Sequence, residues 1–211
     1  MTDDVLVSSA DGKTPDEDLW ARAGQSPADA GAFGQLYERH ADDVYNHCFR
    51  RTGSWEAAED LTSTVFMDAW RRRGEVVFIG ESLLPWLLGV ANNAIRNQAR
   101  SARRQRRLLL KLPPQDITPD LSDEAAARID SEARMRHVLV AFEQLSSDEQ
   151  DVLSLCGWAR LDYAQAAELL RIPVGTVRSR LSRARQKLLK DPPGDAANPA
   201  EGRAAASQLR T

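Results

Sequence analysis

The stretch VGTVRSRLSRAR, residues 174–185, combines four arginines with hydroxyl side chains and apolar residues at helical spacing. A guanidinium group can donate paired hydrogen bonds to guanine or bind a phosphate, and Ser and Thr suit phosphate contacts. An apolar residue at every third or fourth position predicts a helix that packs one stripe inward and exposes a cationic face. The inward stripe comprises Val174, Val177, Leu181 and Leu188. The outer face, which we predict to contact DNA, comprises Thr176, Arg178, Ser179, Arg180, Ser182 and Arg183.

The segment before this helix predicts how the helix is positioned. Asp162 can cap a short helix, and Ala166 and Ala167 are small enough to let another helix approach closely. The break at 171–173 ends in Pro173, which suits the first turn of the next helix. A short helix, a tight turn and a basic second helix together predict a helix-turn-helix. A solvated cationic helix on acidic neighbours is the alternative, and it accounts for the charge but not for the turn or the cap.

A second cationic surface is predicted on a helix that spans 84–109 and begins at Pro85 and Trp86. Its first half is apolar on one side, and its second half carries six arginines with asparagines nearby. Asparagine can hydrogen-bond base edges, and arginine can hold phosphates. The chain therefore carries two separated helices with the residue types that nucleic-acid binding needs.

The composition excludes several classes of protein. Hydrophobic residues make up 42% of the 211 residues, enough for a buried core, and the formal charge of −3 argues against indiscriminate nucleic-acid binding. No run of 18 apolar residues occurs, so no membrane insertion is expected, and the acidic first 20 residues do not resemble a secretory signal. Cys48 and Cys156 lie in apolar helical patterns and are predicted to be buried thiols rather than a disulfide. These features predict a cytoplasmic protein.

Helical periodicity recurs along most of the chain, and strand patterns are nearly absent. The predicted fold is therefore all-α, with two small helical domains joined by a flexible linker and the helix-turn-helix in the C-terminal domain. The linker, KLPPQDITPDLSDE, contains three prolines and four acidic residues. The predicted division is a disordered N-terminus at 1–26, a helical domain at 27–110, the linker at 111–124, the helix-turn-helix domain at 125–190 and a disordered tail at 191–211. Helices are predicted near 27–51, from the N-cap Ser54 to about 73, and at 84–109, 124–144, 147–158, 162–170 and 174–190.

Sequence motifs in both halves point to one family. The C-terminal half contains FEQLSSDEQDVL at 142–153, DYAQAAELL at 162–170 and VGTVRSRLSRAR at 174–185. The N-terminal half contains FGQLY at 33–37, AAEDLTSTVFMDAW at 57–70 and PWLLGVANNAIRN at 85–97. The first set resembles region 4 of bacterial RNA polymerase sigma factors, and the second resembles their regions 2.1 to 2.4. The resemblance is closest to the extracytoplasmic-function (ECF) subgroup and covers residues 27–190.

One position departs from the family pattern. Arg171 stands at the turn of the helix-turn-helix, where the family often has glycine. A side chain there is tolerated outside the left-handed backbone region and is costly within it. The departure therefore bears on the local turn geometry alone.

The resemblance implies a protein that binds core RNA polymerase, directs it to promoters and helps to open the −10 element, without being an enzyme itself. Within the helix that would dock on the polymerase clamp, we expect Leu61, Val65 and Ala69 to face inward. The polymerase-binding residues that the resemblance implies are Asp60, Leu61, Thr64, Phe66, Met67 and Trp70.

The resemblance also assigns each cationic helix to a promoter element. The helix at 174–190 would read the −35 element in the major groove. Because polymerase would tether both modules, the second DNA contact would become effectively intramolecular. The further partner that the family implies is an anti-sigma factor. The −10 element would meet Asn92, Asn93, Arg96, Asn97, Arg100 and Arg103.

Three other classes of protein remain as alternatives. A helix-turn-helix transcriptional regulator would bind DNA without polymerase, but it would not need the second basic helix. A purely helical adaptor would leave the placement of the arginines unexplained. An enzyme would need a reactive constellation, and the sequence shows no metal-like cluster and no phosphate loop, so no cofactor and no metal are expected. The candidate reactive residues are His40, His47, Cys48, His137 and Cys156.

Overall fold

The computed structural model describes residues 14–25, 28–73, 76, 78–109 and 123–190, with the helical backbone alone at 103, 105–109 and 123–130. The described residues form eight α-helices, one π-helical segment and no β-strand beyond an isolated bridge. None of the described helices is both long and apolar enough to cross a membrane. In chain order the helices are α1 (Asp16–Ala23), α2 (Ala30–Thr52), α3 (Trp55–Arg71), α4 (Leu84–Leu109), α5 (Asp123–Glu143), α6 (Ser147–Leu153), α7 (Tyr163–Leu170) and α8 (Val174–Lys190).

The described helices pack into two domains, as the sequence predicts. Helices α1–α4 form the N-terminal domain, and α5–α8 form the C-terminal domain. The all-α, two-domain architecture is therefore confirmed. The predicted tail at 191–211 and the predicted linker, apart from its last two residues, lie outside the described residues.

Local capping explains where α2 and α3 begin and end. The carboxylate of Asp29 accepts a hydrogen bond from the Ala32 N–H at 2.9 Å, which fixes the start of α2. Gly53 ends α2 with φ 65° and ψ 21°, a left-handed conformation that glycine adopts without steric cost. The Ser54 side chain then accepts from the Ala57 N–H at 3.3 Å and caps α3. The predicted Ser54 cap is confirmed.

The N-terminal core lies between the inner faces of α2, α3 and α4. The side chains predicted to face inward from α3 are all buried there. Apolar residues at helical spacing on three helices thus bury one continuous core. Its fully or almost fully buried members include Leu36, Val44, Cys48, Leu61, Val65, Ala69, Leu87 and Ala91.

The prediction of disorder at 1–26 is wrong for 16–23, which form α1. Leu19 is fully buried, and the ring centroid of Trp20 lies 6.1 Å from that of Phe33 in the core. Eight residues are too few to show a clear helical period, so burial against the rest of the domain decides the structure of this segment. Residues 1–13 lie outside the described residues.

Asp16, the first residue of α1, is a buried carboxylate that ties α1 to two other parts of the domain. It binds the side chains of Arg39 and His40, with the His40 Nε2 at 2.7 Å, and accepts from the Leu83 N–H at 2.8 Å. Burial raises the pKa of Asp16, but these hydrogen bonds outweigh burial and hold the pKa below its usual value. Because Leu83 directly precedes α4, the contact helps to fix where α4 begins.

The C-terminal domain is held by a second core and a capping box. The Ser146 side chain accepts from the Glu149 N–H, and the Glu149 carboxylate accepts from the Ser146 N–H at 2.9 Å. Helix α6 continues directly into the π-helical segment Ser154–Trp158. The buried members of the core are Leu139, Phe142, Leu145, Val152, Leu153, Ala166, Ala167, Val177, Leu181 and Ala184.

Helices α7 and α8 form the predicted helix-turn-helix. Asp162 caps α7 and forms a capping box with Gln165, which confirms the predicted cap. At the turn, Arg171 has φ 54° and ψ 46°, so it occupies the left-handed region that glycine favours. This conformation costs an arginine about 1–2 kcal/mol relative to a right-handed one. The turn keeps it because the N–H groups of Arg171 and Ile172 satisfy two carbonyls at the end of α7.

The inward stripe of α8 begins one turn later than the sequence predicts. Val177 and Leu181 are buried and Leu188 is half-buried, but Val174 is 38% exposed. Val174 is the first residue of α8, directly after the turn at Pro173, and α8 meets the core only from Val177 onward. The predicted inward position of Val174 is therefore wrong.

Candidate nucleic-acid interface

The outer face of α8 is cationic and open to solvent. The Ser179 hydroxyl donates to the Thr176 carbonyl at 3.0 Å, and Arg183 Nε donates to the Ser179 carbonyl at 3.3 Å, so both side chains lie along the helix. The Arg178 guanidinium lies 5.8 Å from the centroid of the Tyr163 ring on α7. The exposed predicted residues are Arg178, Ser179, Ser182 and Arg183, and Thr176 is half-buried.

Arg180 differs from the other arginines of this face because it has an ion-pair partner in its own domain. Its Nη2 lies 2.7 Å from the Asp148 carboxylate on α6, and its side chain is half-buried. Of the predicted α8 set, this residue is the one that the structure places against an acidic neighbour.

A polar stripe runs along the solvent side of α4. Asn93, Asn97, Arg100 and Arg104 are exposed, and their spacing of four, three and four residues places them on one helix face. Arg104 continues this face one turn after Arg100. The side chain of Arg103 lies outside the described residues.

Asn92 does not lie on this stripe. Its side chain is buried, and its Oδ1 accepts from His47 Nε2 at 2.9 Å and from Arg51 Nη1 at 3.3 Å. Both donors lie on α2, so Asn92 connects two helices inside the protein. Its burial contradicts the predicted contact with DNA.

Arg96 and Arg51 meet a carboxylate of the other domain. The Asp151 side chain is 2% exposed and forms ion pairs with Arg96 on α4 and with Arg51 on α2, the latter at 3.2 Å. Arg51 Nη1 also donates to the Ser154 hydroxyl at 3.1 Å. The predicted −10 residue Arg96 is therefore turned toward the C-terminal domain rather than fully toward solvent. Sequence patterns gave no signal for this pairing, because its partners are 100 and 55 residues apart.

An apolar groove lies between α2 and α3. It has a volume of about 470 Å³, and four of its eight lining residues are aromatic. Met67 at its edge is 54% exposed, and Tyr37 is also exposed. Of the predicted polymerase-binding residues, Asp60 and Thr64 are exposed on α3, whereas Leu61 is buried in the core and cannot contact a partner directly. The groove is lined by Ala30, Phe33, Tyr37, Ser63, Phe66, Met67, Trp70 and Arg71.

The two domains correspond to two known sequence families. The Sigma-70 region 2 family matches residues 36–105, and the Sigma-70 region 4 family matches residues 136–188. The ECF RNA polymerase sigma factor SigL of Mycobacterium tuberculosis is 34% identical over 166 residues, which cover 75% of this chain and 88% of SigL. This chain belongs to the ECF RNA polymerase sigma factor family. The ECF sigma factor BldN of Streptomyces coelicolor is 28% identical over 178 residues, and the chain spans 64% of its length.

Solved structures show the same fold as this ECF sigma factor. CnrH, in complex with the cytosolic domain of CnrY, gives a TM-score of 0.60 at 22% identity and covers 83% of this chain and 95% of CnrH. The sigma factor RpoE of Bartonella quintana, in complex with the anti-sigma factor NepR, gives 0.55 at 23% identity and covers 75% of this chain and 94% of RpoE.

Burial shifts the pKa of three of the candidate reactive residues, His47, Cys48 and Cys156. Burial raises the pKa of the Cys48 thiol to about 12 and that of the half-buried Cys156 thiol to about 11. Both thiols are unpaired, as the sequence predicts. Burial also lowers the pKa of His47 to about 4, so its ring is neutral at physiological pH. Among the described residues, no group of His, Cys, Asp or Glu could hold a metal ion.

Proposed function

We propose that this chain binds core RNA polymerase through the groove between α2 and α3 and directs it to promoters in the cytoplasm. The stripe on α4 contacts the −10 element, and α8 reads the −35 element. The observation that carries the proposal is that each sigma-family domain presents its own exposed cationic helix face, on α4 and on α8. RNA synthesis itself belongs to the polymerase.

The groove suits a protein partner because it combines open apolar surface with exposed polar residues at its rim. Met67 and Tyr37 are large apolar or aromatic side chains left in solvent, which is typical of an interaction site. Phe66 and Trp70 line the groove, and Asp60 and Thr64 are exposed on the same helix, α3. These residues support a polymerase contact in which Leu61 acts only through core packing.

Contacts to DNA bases and contacts to DNA phosphates are assigned to different side chains. Asn93 and Asn97 can hydrogen-bond base edges, and Arg100 and Arg104 can hold phosphates along the same face. On α8, Arg178 can pair with guanine in the major groove, while the exposed serines suit phosphates. Arg96 can contact the −10 element only when Asp151, its ion-pair partner, moves away.

The alternative function, a helix-turn-helix transcriptional regulator that binds DNA without polymerase, is not favoured. Such a protein would need one DNA-binding module, whereas this chain matches both sigma regions, in their expected order. Because the solved relatives CnrH and RpoE were captured with CnrY and with the anti-sigma factor NepR, we extend an anti-sigma partner to this chain by analogy.

Reconstitution with bacterial core polymerase tests the proposal. We expect initiation from selected promoters that requires this chain. We expect Met67→Glu to weaken polymerase binding by about tenfold or more, because a charge in the groove must be desolvated. Val140→Glu, which places the same charge at a 63% exposed position on α5, is the matched control.

The double variant Arg178→Ala, Arg180→Ala should keep polymerase binding and lose −35 recognition. If core polymerase neither binds the wild-type chain nor gains promoter selectivity, the proposal fails.

A further inference from the structure

A second cavity lies where α2 and α4 meet the end of the π-helical segment, and it shares no residue with the apolar groove. Its volume is about 280 Å³, which is close to the lower end of the range for small-molecule sites. Four polar residues of its lining are exposed, whereas His47, also in the lining, is only 3% exposed. The four exposed polar residues are Asp43, Asn46, Arg50 and Arg160.

The His47 ring has an unused hydrogen-bond acceptor. Asn92 Oδ1 accepts from Arg51 Nη1, so the same oxygen also accepts from His47, and His47 Nε2 carries the ring proton. Because burial keeps this ring neutral, its other nitrogen, Nδ1, has a free lone pair. Among the described residues no group donates to that nitrogen. A hydroxyl group bound in the cavity would supply the missing donor.

Two guanidinium groups make the cavity cationic. Arg50 Nη1 donates to the Trp158 carbonyl at 3.3 Å, so the Arg50 side chain reaches from α2 to the segment that precedes Arg160. The Arg50 charge also contributes to the low pKa of His47, which places that charge near the ring. Of the described lining residues, two are arginines and one, Asp43, is acidic.

Arg160 occupies a backbone position that favours glycine. Its φ is 57°, in the left-handed region. The Leu161 N–H donates to the Leu155 carbonyl at 3.0 Å, which closes the turn that ends the π-helical segment. This turn needs the left-handed backbone but no side chain, and an arginine adopts it at a steric cost that glycine avoids. What the arginine adds is a positive charge at the cavity.

We infer that the cavity binds a small hydroxylated phosphomonoester, whose phosphate contacts Arg50 and Arg160 and whose hydroxyl donates to His47 Nδ1. Arginine binds phosphate oxygens through paired N–H donors, and a phosphomonoester carries a charge near −2 that matches two guanidinium groups. A second hydroxyl can donate to Asp43, which would repel an anion that has no donor of its own. The inference goes beyond the proposed function and does not depend on it.

Isothermal titration calorimetry of the full chain at low salt tests the site, with glycerol 3-phosphate as the probe. We expect one saturable site. Glycerol lacks the phosphate, and propyl phosphate has the same carbon chain without the hydroxyls. Each of these two compounds should bind at least roughly tenfold more weakly, because each loses the hydrogen bonds of one half of the ligand.

Arg160→Gly removes one phosphate contact without straining the backbone. Its matched control is Arg171→Gly, because Arg171 is also an arginine in the left-handed region but does not line the cavity. Both variants should stay folded, since glycine adopts this conformation freely, and circular dichroism checks this. We expect the affinity for glycerol 3-phosphate to fall by roughly tenfold or more in Arg160→Gly and to stay unchanged in Arg171→Gly.

Nitrogen NMR of the histidine rings reports the hydroxyl contact directly. The chain has three histidines, and comparison with His47→Gln assigns the signal of His47. In the free protein, Nδ1 of His47 should give the resonance of an unprotonated ring nitrogen. Glycerol 3-phosphate should shift this resonance, because the lone pair then accepts a hydrogen bond, whereas propyl phosphate should leave it in place.

Each outcome bears on one part of the inference. A Kd for glycerol 3-phosphate weaker than about 10 mM, or equal affinity in wild type and folded Arg160→Gly, would overturn the site. Equal affinity for propyl phosphate, or an unshifted His47 Nδ1 resonance, would overturn the class of ligand. None of these measurements involves polymerase or DNA, so the proposed function stands or fails separately in the reconstitution.

Discussion

At the scale of single residues, His47 shows how burial turns a titratable side chain into a structural one. Its Nε2 donates to Asn92 Oδ1, and its Nδ1 is buried without a hydrogen-bond partner. Burial is the largest cause of its low pKa, and the neighbouring Arg50 and Arg51 charges add to it, whereas the Asn92 hydrogen bond opposes it. The ring is therefore held neutral between α2 and α4.

This environment predicts a pH dependence of stability. The pKa of His47 is 6.5 in its unperturbed state and about 4 in the folded protein, so between these values the unfolded chain binds more protons. The free energy of unfolding should therefore fall as the pH is lowered from about 6.5 to 4, by up to roughly 3 kcal/mol from this residue. Urea denaturation of wild type and His47→Gln over this range measures the effect. Because other groups also titrate, the difference between the two proteins is the quantity to compare, and equal slopes would contradict the prediction.

The contacts of polar side chains could be predicted from sequence only where the partner is close along the chain. The caps at Ser54 and Asp162 depend on residues three positions away, and the sequence predicted both of them. Asn92 and Arg96 carry the right chemistry for DNA, but their partners come from distant parts of the chain. No helical pattern contains that information.

At the scale of elements, helix α1 stabilises the N-terminal domain in a way that its sequence hides. It buries Leu19 and Trp20 in the core, and Asp16 bonds to residues of α2 and to the start of α4. The other helices were located from apolar periodicity, and α4 has the predicted bounds. The short acidic helix α1 has no such pattern, because its helical structure depends on tertiary contacts.

Truncating one side chain of α1 tests this role. Leu19→Ala should lower the free energy of unfolding of the N-terminal domain by about 2–5 kcal/mol, because a fully buried leucine leaves a cavity. Denaturation followed by circular dichroism gives the value. Asp18→Ala, at an exposed position of the same helix, is the control and should change little. A loss as small for Leu19→Ala as for the control would mean that α1 is not part of the cooperative unit.

At the scale of the whole molecule, the modest net charge of −3 conceals two cationic faces on different domains. Each phosphate contact adds affinity that salt erodes, so a single face binds DNA weakly at physiological salt. When polymerase carries both faces, the second contact is made at a high effective concentration. The proposed function therefore predicts that the holoenzyme binds promoter DNA more tightly than the free chain does.

The salt dependence of holoenzyme binding to promoter DNA measures the contribution of one cation. For Arg183→Ala on the outer face of α8, the slope of log K against log salt should decrease in magnitude by about one. Arg134→Ala, an exposed arginine on α5, is the control and should leave the slope unchanged. If Arg183→Ala leaves the slope as in wild type, then Arg183 makes no phosphate contact.

Two glycines of the N-terminal domain act as sockets for leucines of the C-terminal domain. A Cβ at Gly53 would lie 2.7 Å from the Leu139 Cδ1, and Gly89 receives Leu169 in the same way. One socket alone would let the domains pivot, whereas two sockets at different positions resist both sliding and rotation. The two sockets therefore define one alignment of the domains, which charge attraction by itself does not specify. A larger residue at either glycine would leave the two domains in contact, but it would remove one of the two contacts that fix their alignment.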